Sequence, residues 1–220
     1  MATFVFFHVG ADLGMPTRMV ESLIRHNPKA EIIQVTDHLT PTVPNVTWVY
    51  PTDGDREHLM AWRVQAFADL GLSDPAMYLD TDMVVNKPIL PEHVLGDAHI
   101  AVCRRSFNRD AVFNPYQRGQ DYSEYMNRTL DQVYPYVGCC TITASCAAWD
   151  AMAKRYAALP DQFKVWYGDQ EVLRDYVDSL PSHWVEYLPE SDYGCLPEYA
   201  GKFPNHAITH YKGARKALLA

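Results

Sequence analysis

The sequence predicts an α/β fold: a Rossmann-like N-terminal βαβ half that runs into a central mixed sheet flanked by helices. Three observations carry this. Apolar runs of strand length alternate with segments of helical periodicity along the chain. The first strand–helix–strand set has the spacing of a parallel crossover. The 220 residues, 48% apolar and 21% charged, suit one sizeable α/β domain with a real core, expected to span 1–220.

Residues 3–9 (Thr-Phe-Val-Phe-Phe-His-Val) read as a buried strand. A Gly-containing turn leads to Pro16, which suits the first turn of a helix. Met19, Val20, Leu23 and Ile24 then recur at helical spacing, and His26-Asn27-Pro28 ends that helix. Strands are expected over 31–36 and 46–50, and a helix over 55–71 with the stripe Leu59, Trp62, Ala66, Phe67 and Leu70. Arg63 falls inside that stripe. An arginine there either finds an anionic partner or snorkels at the stripe's edge. A short strand, 76–79, ends directly on Asp80, and 83–85 is apolar again before Pro88 and Pro91 break regular structure. Residues 99–103 form another strand.

Residues 104–128 differ in character. They hold five arginines, three tyrosines and two phenylalanines among few aliphatics. We read them as a long irregular insertion, a lid or acceptor platform able to stack on a sugar, a nucleobase or a peptide. Beyond it come a strand over 137–143, a helix over 147–158, a helix opening at Gly168-Asp169-Gln170 with Val172, Leu173, Tyr176 and Val177 inward, and a strand over 184–188. A Pro- and Gly-rich loop, 189–205, leads to a last strand, 207–211.

The net charge of −8 gives no general attraction to nucleic acid or anionic lipid. An acidic protein that binds a phosphorylated ligand needs a counter-charge, and a divalent cation is the usual device. Five cysteines, odd in number and without paired C-x-x-C elements, read as buried thiols of a reducing compartment. No apolar run approaches membrane-spanning length and no signal-like N-terminus precedes the first strand, so a cytoplasmic protein without a membrane span is expected.

The chemistry concentrates at Asp80-Thr81-Asp82. Ligands of α/β sheets sit beyond the carboxyl ends of strands, and two carboxylates at i and i+2 there can approach one hard cation together. Alone, such a triplet is as well explained by a solvated turn or a helix cap. Far downstream, His210-Tyr211-Lys212-Gly213-Ala214-Arg215-Lys216 offers an imidazole, a glycine and an ammonium. A mixed nitrogen and oxygen set of Asp80, Asp82 and His210 suits Mn²⁺, or Mg²⁺. Gly213 would let the backbone come close to a diphosphate whose charge Lys216 offsets. Asp169, at the start of a helix, reads by itself as a helix cap.

Tyr78-Leu79-Asp80-Thr81-Asp82-Met83-Val84-Val85 resembles the centre of GT-A-fold glycosyltransferases, most closely the retaining family-eight group that includes glycogenin and bacterial galactosyltransferases. The resemblance extends to Arg63, placed like that family's donor-contacting basic residue. It extends to Gly168-Asp169-Gln170, placed like its acidic-amide element, and to the H-x-x-G-x-x-K pattern ending at Lys216. The turn after the first strand, with Phe7, His8, Val9 and Asp12, falls where the family holds the nucleoside. The resemblance implies transfer of a hexose from a nucleotide diphosphate sugar, a UDP-sugar, to an acceptor hydroxyl, with retention. In that reading Asp169 and Gln170 hold the reacting sugar. Arg63, Asp80, Thr81, Gly213 and Lys216 hold the nucleotide diphosphate. The acceptor is left open among glycan, small molecule, protein and nucleic acid. One departure is local: Val137-Gly138-Cys139 stands where that family carries Asn-Ala-Gly, which leaves the sugar's identity open. The chain also lacks a basic, aromatic segment after Lys216, which points away from a membrane-bound acceptor.

Two other readings fit parts of the pattern. Asp80-Thr81-Asp82-Met83-Val84 matches the D-x-D-x-[TV] nucleophile of haloacid-dehalogenase phosphatases, but that motif belongs on a first strand and here a βαβ unit precedes it. A non-catalytic nucleotide-sugar-binding module would keep the same ligands without turnover.

Overall fold

A computed structural model describes residues 1–117, 120–164 and 166–219. β1 (Thr3–Phe7) is followed by α1 (Gly14–His26), β2 (Glu31–Thr36) and β3 (Trp48–Pro51). Then come α2 (Leu59–Asp69), β4 (Ala76–Leu79), β5 (Met83–Val85), α3 (Pro91–Leu95) and β6 (Ile100–Arg104). The insertion carries β7 (Tyr116–Gln117) and β8 (Gln120–Asp121), and α4 (Leu130–Val133) follows it. β9 (Tyr136–Thr143), α5 (Ala147–Ala158), α6 (Gly168–Asp178), β10 (Val185–Pro189), α7 (Glu190–Tyr193) and β11 (Ile208–His210) complete the order.

The main sheet has seven strands in the order β10-β6-β9-β4-β1-β2-β3. β1, β2, β3 and β4 pair in parallel, as the expected N-terminal βαβ unit requires. β9 runs antiparallel to both its neighbours, β4 and β6, and makes the sheet mixed. β5 and β11 form a separate antiparallel pair beside it.

Strand alternation divides the core between the two faces of the sheet. Phe4, Phe6, Met77 and Leu79 pack on one side with Met19 and Leu23 of α1. Val5, Val35 and Tyr78 pack on the other with Trp62 and Phe67 of α2, Trp149 of α5 and Val172 of α6. The first strand is shorter than the expected 3–9, because Gly10, at φ 139°, turns the chain away after His8. The helix expected over 55–71 is divided: a 3₁₀ turn, Arg56–His58, precedes α2.

The insertion is irregular, and its rings divide: Tyr116 is exposed and Phe107 half-buried, while the other three are interior. Phe113, Tyr122 and Tyr125 are buried with Val133, Tyr134 and Phe163 in a third cluster of their own. Large rings gain more by packing edge to face on one another than by facing water. Arg118 of this segment lies outside the described residues. All five cysteines are free, and four of them are buried. Among the described residues no helix is long and apolar enough to cross a membrane.

Candidate metal and donor site

The site lies where β1, β4 and β9 reach one edge of the sheet. β1 and β4 run in parallel and end level, Phe6 opposite Leu79, so residues 7–12 and 80–82 leave the sheet side by side. β9 arrives from the opposite direction, and Asp80 N donates to the Cys139 carbonyl at 2.9 Å. β11 supplies the remaining wall. His210 is the register partner of Met83, and Tyr211 N donates to the Asp82 carbonyl at 2.8 Å. The backbone ladder thus holds His210 beside Asp82.

One ligand atom each from Asp80, Asp82 and His210 lie within 4.8 Å of one another. His210 Nε2 stands 3.3 Å from Asp82 Oδ1. That contact lacks hydrogen-bond geometry: Asp82 Oδ1 is buried and has no hydrogen-bond partner. A buried carboxylate oxygen left so is costly, and a divalent cation would satisfy it. The donor set, two carboxylates and an imidazole, fits Mn²⁺ or Mg²⁺. Lys216 Nζ lies 3.1 Å from Asp82 Oδ2. Lys216 rides on the 3₁₀ segment Gly213–Leu219, and Gly213 opens that segment at φ 65°, in the left-handed region that favours glycine.

Electrostatics separate the two aspartates. Burial raises the Asp80 carboxyl above the usual range against the pull of Arg63, and the nearby Asp82 charge adds to the rise. At Asp82 burial acts the same way but is outweighed by His210 and Lys216, which hold it at about 2. His210 is pushed up to about 10: burial opposes its charge, and the Cys139 sulfur and the Asp82 carboxylate overcome that.

Of the two readings of Arg63, the structure shows the one with anionic partners. Nη1 donates to Asp80 Oδ1 at 2.6 Å, and Nη2 donates to Asp169 Oδ2. The guanidinium so ties the end of β4 to the start of α6. Asp169 is not the cap of α6; Tyr167 occupies that position without a side-chain cap bond. Asp169 Oδ1 instead accepts from Gln170 N at 2.8 Å. The bare backbone of Gly138 faces this pair: a Cβ there would meet Gln170 Cγ at 3.5 Å and Asp169 Oδ2 at 3.8 Å.

The remaining expected residues line the β1 side. Phe7 packs edge to face on Trp62 at 5.4 Å. His8 N donates to the Val35 carbonyl at 3.0 Å. Its Nε2 is buried with no hydrogen-bond partner, and burial lowers its pKa against nearby Asp12 and Gly10. Val9 and Thr81 are half-buried, and exposed Asp12 accepts from Gly14 N at 2.9 Å.

Three residues of the neighbourhood were given no role by the sequence reading, although Cys139 was named there in the Val137-Gly138-Cys139 departure. Cys139 sits against His210. Glu190, fully buried, accepts from Lys212 Nζ at 3.1 Å. Glu171, also buried, accepts from the Tyr134 and Tyr125 hydroxyls at 2.6 and 2.9 Å. A signal for Glu190 existed in Lys212, a lysine next to buried β11 that needed an anion. Cys139 was visible only as part of the Val137-Gly138-Cys139 stretch, and Glu171 had no local signal.

No protein-family profile matches the chain, and no curated protein matches it in sequence. Solved structures do match it in fold. The glycosyltransferase GlyE of Streptococcus pneumoniae TIGR4 superposes with a TM-score of 0.64 at 18% identity, over 97% of this chain and 55% of that one. Its apo form gives a TM-score of 0.66 at 17% identity over the same shares. The bifunctional glycosyltransferase WbbM in its apo structure gives 0.60 at 15% identity, over 96% of this chain and 46% of that one. The chain spans about half the length of these structures. What it shares with them, over nearly all its own length, is the α/β fold of glycosyltransferase structures.

Proposed function

We propose that this chain is a metal-dependent glycosyltransferase that moves a hexose from a nucleotide diphosphate sugar, UDP-linked, to an acceptor hydroxyl. The observation that carries the reading is the convergence of Asp80, Asp82 and His210, from β4, its following turn and β11, on one point at the sheet edge. The fold shared with glycosyltransferase structures supports it.

In this reading Asp80, Asp82 and His210 hold Mn²⁺ or Mg²⁺. When bound, the cation offsets the charge of the donor's diphosphate. Lys216 leaves Asp82 to meet a phosphate oxygen, a move that exchanges one anionic partner for another. Gly213 gives the turn that brings it there. Residues 7–12 hold the nucleoside, with Phe7 against Trp62 as the apolar wall. Arg63 keeps Asp80 and Asp169 in fixed relation and offsets negative charge between them. Asp169 and Gln170 hold the sugar hydroxyls, so that the anomeric carbon faces the acceptor. The bond from that carbon to the diphosphate oxygen breaks, a bond to the acceptor oxygen forms, and the hydroxyl proton leaves with the diphosphate. The anomeric configuration is retained, as the resemblance to the family-eight group implies. An NMR assignment of an inverted product would refute that part.

The test is calorimetric titration of UDP in Mn²⁺. Asp82→Ala is expected to abolish metal-dependent binding while leaving the fold's circular dichroism intact. Unchanged affinity in Mn²⁺ would remove the metal site from the proposal. Robust Asp80-dependent hydrolysis of p-nitrophenyl phosphate would instead favour a phosphatase.

A further inference from the structure

The loop after β6 and the loop before β11 meet in a second aromatic group, separate from the buried cluster of the insertion. The Phe107 and Tyr199 rings stack with centroids 4.4 Å apart and planes 7° from parallel. Phe203 stands 6.1 Å from Phe107 at 57°. Phe203 is 38% exposed, and Phe107 and Tyr199 are half-buried. Apolar ring surface therefore reaches solvent on a part of the molecule that the core does not need.

The group is firmly built. Ser106 N and Phe107 N both donate to Glu190 Oε2 at 2.8 Å. The other oxygen of Glu190 takes Lys212 Nζ, two residues beyond His210. A second tie, between Arg215 and Glu198, joins the turn carrying Tyr199 to the segment carrying Lys216. The aromatic surface is thus anchored to the same C-terminal segment that presents His210 and Lys216 to Asp82.

We propose that Phe107, Tyr199 and Phe203 form the acceptor subsite, and that the acceptor they take is a carbohydrate, with a sugar ring laid against the two phenylalanines. The proposal rests on the transferase reading above for its role and on the aromatic geometry for its ligand. The C–H face of a pyranose is apolar and matches an aromatic ring, while its hydroxyls need a polar rim. Lys202 Nζ, 5.6 Å from the Tyr199 ring centroid, and exposed Asn108, next in sequence to Phe107, offer polar groups for that rim. A polyanionic acceptor fits poorly. Lys212 and Arg215 are committed to Glu190 and Glu198, Arg105 Nε donates to the Tyr134 carbonyl at 2.8 Å, a single cation among the described residues, Lys202, lies over these rings, and the chain's net charge is −8.

The test is saturation-transfer NMR with lactose, cellobiose, maltose and chitobiose, each presented to the whole chain, with an acetylated Gly-Ser-Tyr peptide as comparator. At least one disaccharide is expected to receive saturation on its ring C–H protons. Phe203→Ala and Phe107→Ala should each weaken that sugar roughly tenfold, the scale of one lost aromatic contact. UDP affinity in Mn²⁺ should stay unchanged in Phe203→Ala. Should Phe107→Ala disturb the fold, Phe203→Ala, on the exposed side, still decides. No transfer to any disaccharide, equal transfer in both variants, or stronger transfer to the peptide than to every sugar would each overturn the proposal. Sugar binding that depends on these rings in a chain that fails to bind UDP in Mn²⁺ would sustain the subsite and sink the transferase reading instead.

Discussion

Arg63 shows how much one side chain in an apolar stripe can decide. It faces inward between Leu59 and Phe67, and its charge is tolerable there only because Asp80 and Asp169 meet it from two other elements. Burial would lower its pKa, yet the two carboxylates raise it further, so the guanidinium stays charged. Removing it would leave two poorly solvated carboxylates facing each other. Arg63→Met is therefore expected to cost roughly 3 kcal/mol in urea unfolding, the range for breaking a buried ion pair from one side. A loss below about 1 kcal/mol would mean that water already screens both aspartates. In the double variant Arg63→Met with Asp169→Asn, part of the loss should return, because one of the stranded charges is gone.

At the scale of the element, α6 has two duties. Its first turn turns Asp169 and Gln170 towards β9 and the metal ligands, and the next residue, Glu171, points into the insertion. Glu171 accepts from Tyr125, Tyr134 and Arg174, all within 2.9 Å. The residues that hold the sugar in the proposed function and the buried anchor of the aromatic cluster are consecutive, so the insertion and the site are built on one rigid helix. Glu171→Leu would leave the buried Tyr134 hydroxyl without its acceptor and Arg174 without its carboxylate, with the Val133 carbonyl and the Tyr125 hydroxyl still accepting from the guanidinium. We expect a destabilisation of about 3 kcal/mol and faster proteolytic cleavage within 104–128 than in β1 or β4. Cleavage at the unaltered rate would show that ring packing holds the insertion without the polar network.

At the scale of the molecule, the site is assembled by a sheet. Its pieces come from the first strand, the middle of the chain and the last strand, and they meet because β4 lies between β1 and β9 while β11 pairs with β5. A ligand that bridges such pieces stabilises the whole fold, since the unfolded chain cannot bind it. With UDP and Mn²⁺ together at about a hundred times Kd, mass action predicts roughly 2.7 kcal/mol. For a chain of this length that is an upward shift in Tm of roughly 5–10 °C. Thermal unfolding followed by circular dichroism would check it, and the shift should vanish with EDTA. A shift equal with and without Mn²⁺ would place UDP away from Asp82.

How much of this was legible follows the range of the interactions. The periodicity of 19–24 and the apolar runs at 31–36 and 76–79 marked α1, β2 and β4, because helix and strand patterns are written within a few residues. Asp80 and Asp82 were legible as a pair because they sit two residues apart at a strand end, and His210 through Gly213 to Lys216 because they share one short segment. The place of Arg63 left an anionic partner and a snorkelling edge position both open, and the partner was not identifiable, since Asp169 lies 106 residues away. Whether the insertion's rings would face water or one another depended on how they gather at Glu171 of α6, and the accessibility of Phe107 depended on its separate ties to Glu190 and Tyr199. The sequence by itself determined the elements and the chemical types at their ends. Only the tertiary structure decided which of those ends meet, because strand pairing joins residues with no local preference for one another.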